Sequence, residues 1–196
     1  MFKPLRKLYD WVLHWAETPY GTPALFLLAL AESSFFPVPP DVLLMALALG
    51  ASNKSMRFAL VCTAGSLIGG VLGYGIGFYG YEALGRPIIE LYHGQPVMDK
   101  VAGLYEQYGF WGVLTAAVTP IPYKVFTIAS GFFKFDFLQF MGASAIGRSL
   151  RFFLVAGLIW KFGPPIKSFI DKYFNVLTVV FTALLVGGFL VLKFAL

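Results

Sequence analysis

Five ionisable side chains stand in stretches that are otherwise apolar: Glu32, Asp41, Lys124, Arg148 and Arg151. At the centre of a bilayer each unpaired charge costs about 2.5–3.5 kcal/mol. Five together would cost on the order of 15 kcal/mol, as much as the stability of a whole domain. They must pair, exchange a proton or face water, and intramembrane charges are functional-site candidates by default. Glu32 ends one short apolar run, where the helix dipole is unfavourable to an anion; Asp41 opens the next, where a carboxylate is favoured. The two acids thus lie in opposite fields, so that one can carry a movable proton while the other stays ionised. Lys124 heads a comparable run, where the dipole favours an anion instead, and either a bound anion or Asp41 would relieve the conflict. Arg148 and Arg151 are three apart and share a helix face. With Lys124 they make a three-cation pocket suited to a phosphate, whose oxygens a guanidinium fork grips in pairs.

The plainer reading makes Asp41–Lys124 and Glu32–Arg148 structural ion pairs. Polar contacts between helices usually suffice to hold them together in lipid, so five charges exceed what packing asks for. Ser33, Ser34, Thr119 and Tyr123 are read as local hydrogen-bond partners of the interrupted backbone near these charges.

The elements that hold the charges are short and broken. An apolar run over 22–31 has half the length of a spanning helix. It meets Ala31-Glu-Ser-Ser-Phe-Phe-Pro-Val-Pro-Pro-Asp-Val42 and gives way to a second short run over 42–51. Pro37, Pro39 and Pro40 cannot continue a helix, because they lack the N–H and clash with the preceding turn. Residues 109–133 repeat the arrangement around Pro120 and Pro122. Pro37-Val-Pro-Pro-Asp-Val42 aligns without a gap on Pro120-Ile-Pro-Tyr-Lys-Val125, an acid in the first copy standing opposite a base in the second. Short interrupted segments in corresponding halves are the best sequence pointer to a transporter-type site at a repeat interface. Irregular backbone at membrane depth is tolerated only where protein or a watery cavity satisfies it.

Around these hairpins the chain reads as all-α membrane protein. Of its 196 residues 58% are hydrophobic and 13% charged, with 21 Phe and 21 Gly, and a soluble domain carries about 25% charge. A soluble globule, a disordered tail and a nucleic-acid binder are excluded; the basic residues lie mostly just outside apolar stretches, where they set orientation and meet anionic lipid heads. Residues 58–80 and 137–160 are long enough to span, and 174–193 make a third span. Gly65, Gly69, Gly73 and Gly77 leave one helix face bare, which fits either an internal neighbour or a second protomer of a homo-oligomer. Gly75-Ile-Gly-Phe-Tyr-Gly80 matches a dinucleotide fingerprint in letters only, since no strand precedes it. Residues 4–18 make a Trp-bearing amphipathic helix for the membrane interface. The divisions are therefore 1–20, an interfacial helix; 21–173, the membrane domain, with repeats over 21–80 and 109–160 around a polar loop over 81–108 that ends in a short amphipathic helix; and 174–196, a terminal span. If both hairpins return to their starting side, eight basic residues flank one face and four the other, which favours a cytoplasmic N-terminus. Cys62 stands alone in an apolar run and offers no internal disulfide.

The stretch Glu32-Ser-Ser-Phe-Phe-Pro-Val-Pro-Pro-Asp41, the glycine-rich helix after it, Thr119-Pro-Ile-Pro-Tyr-Lys124 with Ser130-Gly131, and Gly147-Arg148 together resemble the DedA family of VTT-domain membrane proteins, its YqaA-like subgroup most of all. The likeness covers roughly residues 20–165. It implies two re-entrant hairpins meeting inside the membrane. It further implies transport of lipid phosphates, above all undecaprenyl phosphate, across the cytoplasmic membrane with proton coupling, the essential acids falling on Glu32 and Asp41. Val118 and Tyr123 stand where many members of that family carry arginine, with Lys124 one place beyond.

The expected function is a proton-linked flippase of lipid phosphates, with Lys124, Arg148 and Arg151 on the phosphate, and with membrane lipids, protons and a second copy of the chain in a homo-oligomer as its partners. The alternatives are a transporter of a small ion or osmolyte, a structural membrane protein with ion-paired hairpins, and an intramembrane enzyme. The enzyme is least favoured: His14 and His93 lie away from the charges, so no metal site or Ser–His pair assembles, and no cofactor or metal is expected.

Overall fold

The computed structural model describes residues 18–36, 38–81, 83, 95–119 and 121–163, with the backbone alone for 95–98. Every regular element among them is helical: α1 (Gly21–Ser34), α2 (Asp41–Gly50), α3 (Ser55–Gly80), α4 (Gln95–Val118), α5 (Tyr123–Phe132) and α6 (Phe137–Phe162), with a 3-10 turn at Ser52–Lys54 before α3. All but residues 18–20 of the interfacial helix expected over 1–20, the span over 174–196, and Pro37 and Pro120 lie outside the described residues.

The proline signals act where the sequence places them. After Ser34 the amides of Phe35 and Phe36 both fold back onto the Ala31 carbonyl, at 2.9 and 2.7 Å, closing α1 as a tight final turn. Pro39 and Pro40 then precede α2, and Pro122 precedes α5; proline before or at the first helical position costs nothing, since that N–H has no intrahelical partner. The segment expected as a polar loop differs. Its second part and the apolar run after it form one uninterrupted helix, α4, because between Pro96 and Val118 only isolated glycines occur, and a helix tolerates them. The last helix begins at Asp136, whose carboxylate accepts from the Gln139 amide at 2.8 Å, and ends at Gly163 in the left-handed region, φ 53°.

Two helices, α3 within Ser52–Gly80 and α6, are long and apolar enough to cross a membrane. At 26 residues each they run about 39 Å, longer than the ~30 Å hydrocarbon layer. Their outer faces carry Leu60, Ile68, Leu72 and Ile76 on α3, and Leu138, Ile146, Leu150, Leu154 and Leu158 on α6, all exposed as lipid-facing positions would be. Their inner faces hold the bundle together. The bare glycine face of α3 is taken up inside the chain: a Cβ on Gly69 would collide with the Leu30 backbone of α1, and one on Gly77 with the Ile128 carbonyl of α5. Helix α3 thus carries α1 along one half of its stripe and α5 along the other, at backbone contact.

The apolar core falls into two clusters. One joins Leu25, Ala29, Leu43, Leu44, Phe58, Ala59, Cys62, Phe152 and Ala156 from α1, α2, α3 and α6. The other joins Val113, Ala117, Tyr123, Phe135, Phe140 and Ala143 around α4, α5 and α6. Helix α6 contributes to both, and between its two contributions lie Ser144, Gly147, Arg148 and Arg151. The polar residues occupy the waist between the clusters.

Candidate functional site

Among the described residues Arg148 is the most enclosed charge, 1% exposed. Its Nε donates to Ser66 Oγ at 2.5 Å. One terminal nitrogen donates to Glu32 Oε2 at 2.5 Å and to Ser33 Oγ at 3.3 Å. Ser33 and Ser66 share a further hydrogen bond of 2.7 Å. The Tyr123 and Phe152 rings both pack against the guanidinium, each centroid 4.7 Å from the central carbon. Ion pair, hydroxyl bonds and two cation–π contacts together replace the water this charge gives up. Every group is supplied by packing already described: Glu32 and Ser33 by the last turn of α1, Ser66 by the glycine face of α3, and Tyr123 by the first position of α5.

One turn further along α6, Arg151 makes a different set of bonds. Its Nε and one terminal nitrogen reach the two oxygens of Asp41 at 3.0 and 2.9 Å, a bidentate fork. The other terminal nitrogen donates to the Thr119 carbonyl at 2.8 Å. Both side chains of this pair are 16% exposed, whereas in the other pair Glu32 is 14% and Arg148 2% exposed, so the two pairs differ in the openness of the arginine and not of the carboxylate.

Lys124 does not meet Asp41. The expected pair fails because α2 packs on α6, which hands Asp41 to Arg151. Lys124 instead donates to the Phe36 carbonyl at 3.2 Å, just past the end of α1. The conflict between a lysine and the N-terminus of α5 is thereby eased by the opposite pole of another helix. In the gapless alignment of the turns Phe36 corresponds to Thr119, so each turn has its equivalent carbonyl held by a cation. Among the described residues no carboxylate lies within ion-pairing distance of Lys124.

The sequence-predicted charges thus come together as two pairs and one lysine. Three cations against two carboxylates leave a formal surplus of one positive charge. The local serines divide: Ser34 bonds the Leu30 and Ala31 carbonyls at 2.9 and 3.1 Å, and Thr119 Oγ1 bonds the Thr115 carbonyl at 2.7 Å, as backbone partners. Ser33 joins the charge network, and Tyr123 acts through its ring while its hydroxyl is buried without a hydrogen-bond partner.

Four participants were not singled out from sequence. Ser66, Phe152 and the carbonyls of Phe36 and Thr119 each hold a cation. Cys62 is buried within electrostatic reach of Asp41, Arg148, Glu32 and Arg151. Ser66 does leave a trace in the sequence, being the polar residue on the face that Cys62, Gly69 and Gly73 share at helical spacing.

The family model described as the VTT domain matches residues 36–161. An uncharacterized protein of Haemophilus influenzae is 30% identical over 95% of this chain and 96% of its own length. One of Histophilus somni is 34% identical over 95% and 97%. One of Methanocaldococcus jannaschii is 27% identical over 67% and 79%. No solved structure matches.

Proposed function

The chain belongs to the VTT-domain family of membrane proteins, and on that premise we propose that it is a transporter that moves a lipid phosphate, undecaprenyl phosphate or a phospholipid, across the cytoplasmic membrane with proton coupling. The observation that carries this reading is the surplus cation. Lys124 heads α5 with a backbone carbonyl and no described carboxylate for company, and the Asp41–Arg151 pair keeps some exposure. An anionic head placed there neutralises the surplus and meets the positive end of a helix, while its acyl or prenyl tail stays in lipid. Phosphate contacts fall to Lys124 and Arg151, and Arg148 holds Glu32 in place. Glu32 and Asp41 are the groups through which a proton acts.

Short α1, α2 and α5 support two re-entrant hairpins, with α3 and α6 as spanning helices. The N-terminus is assigned to the cytoplasmic side by the basic residues that flank the spans. A purely structural role has one observation in its favour, that both acids are already paired. The deciding experiment is flipping of a fluorescent lipid phosphate in proteoliposomes, with and without a pH gradient. Lys124→Ala should abolish it at unchanged expression; a variant that still transports overturns the reading in favour of structural pairs. Competition by a soluble phosphate analogue as strong as that by the lipid would point to a small-ion substrate.

A further inference from the structure

Arg148 and Arg151 sit three residues apart with opposite prospects. Arg148 is 1% exposed, its Nε and one terminal nitrogen bonded to protein and two rings against its guanidinium, so no ligand reaches it without unpacking the core. Arg151 offers the edge that grips oxyanions, formed by Nε and one terminal nitrogen, and Asp41 fills it with two oxygens at 3.0 and 2.9 Å. A phosphate takes a guanidinium edge in the same two-oxygen manner. The remaining nitrogen is fixed on the Thr119 carbonyl at 2.8 Å, which holds the fork in orientation whichever anion occupies it. Lysine has no such division of labour among its donors.

We infer that Asp41 is an internal stand-in for the ligand: it occupies the Arg151 fork that the phosphate takes, and binding proceeds by exchange, Asp41 accepting one proton from water as it leaves. This rests on the lipid-phosphate reading and adds how the proton is coupled to it. Arg151 from α6 faces Asp41 directly and the buried Cys62 of α3 lies within its electrostatic reach; across the waist as a whole Arg148, Arg151 and Lys124, in the first turn of α5, stand against Glu32 and Asp41. Before exchange their formal sum is one positive charge. A singly charged phosphodiester brings one negative charge and the proton one positive, so the sum is unchanged. A site in a low-dielectric medium favours such a neutral exchange over one that leaves a naked charge. Proton and anion therefore travel together.

The test is calorimetric binding of a short-chain phosphatidylglycerol to the full chain in detergent, in buffers of different ionisation enthalpy. Its phosphodiester stays singly charged across the range, so any proton taken up belongs to the protein. The expected result is uptake of about one proton per ligand, with affinity falling about tenfold per pH unit wherever that proton is taken up. Asp41→Asn should bind at least about tenfold tighter at the alkaline end, with no proton uptake. Wild-type binding without proton uptake overturns the exchange but leaves the lipid-phosphate reading standing; so does an Asp41→Asn that binds no tighter. Absence of binding in both proteins overturns both. Should the variant not fold, the wild-type proton count decides alone. Excess inorganic phosphate that displaces the lipid assigns the fork to a free phosphate, and failure to displace assigns it to the lipid head, the proton count supporting the exchange in either case.

Discussion

Lys124, in the second proline turn, donates to the backbone carbonyl of Phe36 in the first, at 3.2 Å across 88 residues. The two turns are thus tied by a cation on a carbonyl, and Arg151 does the same for the equivalent carbonyl of Thr119. The lysine contact is a single hydrogen bond, and a charged donor on a neutral acceptor contributes about 1.5–3 kcal/mol at most.

Lys124→Ala should therefore lower stability by no more than about 1.5–3 kcal/mol, while lipid-phosphate transport falls at least about tenfold. A thermal melt in detergent beside a flipping assay separates the two quantities. A loss of fold equal to the loss of transport would make Lys124 a strut between the turns.

Arg148→Ala should show the opposite balance. Removing the guanidinium strands Glu32, takes a partner from Ser66 and Ser33, and opens a gap between Tyr123 and Phe152. Breaking a buried pair from one side costs about 3–5 kcal/mol. Lysine at this position has no plane to stack between two rings and should recover little of it. Expression and melting temperature are the readout, and an Arg148→Ala variant as stable as wild type contradicts the assignment of Arg148 as a positioning residue.

The sequence carried the elements further than their partners. The bounds of α2 and α5 follow from prolines that can only precede a helix, and α3 and α6 from uninterrupted apolar length. Glu32 and Arg148 find each other because each is the buried charge of its own helix at the bundle's waist. Asp41 was not decided in this way, since Lys124 and Arg151 both offered a cation, and the symmetry of the turns pointed to Lys124. Periodicity tells which face of a helix is buried, not which helix covers it. The packing of α2 on α6 is a tertiary fact, and it alone gives Asp41 to Arg151. Tyr123 was legible as buried, but its use as a platform for a cation depends on a residue 25 positions away in another helix.

Tyr123 allows the ring and the hydroxyl to be tested apart. Its hydroxyl is buried with no hydrogen-bond partner, an arrangement that costs desolvation and returns nothing. Tyr123→Phe should therefore leave stability unchanged or raise it by up to about 1 kcal/mol. Tyr123→Leu removes the face against Arg148 and should lower stability by about 1–2 kcal/mol. Equal melting temperatures for the Phe and Leu variants would mean that the stacking on Arg148 contributes nothing.

The glycines of α3 divide by what they face. Gly77 meets the Ile128 carbonyl and, at 2.8 Å from a would-be Cβ, the Phe132 amide of α5; both are backbone and cannot rotate away. Gly75 and Gly80 have nothing within 4 Å of such a Cβ. All three belong to the stretch that matches a dinucleotide fingerprint in letters, so the same substitutions test packing against cofactor binding. If packing is their role, Gly77→Ala should destabilise by roughly 1–3 kcal/mol, because α5 must move off α3. Gly75→Ala and Gly80→Ala should be neutral or stabilise by up to about 1 kcal/mol, since alanine favours the helix. A pyrophosphate cradle would instead tolerate none of the three, as each would bring the backbone close to the ligand. Melting temperatures of the three variants decide between the patterns, and uniform damage at Gly75, Gly77 and Gly80 would contradict the packing of α5 on α3.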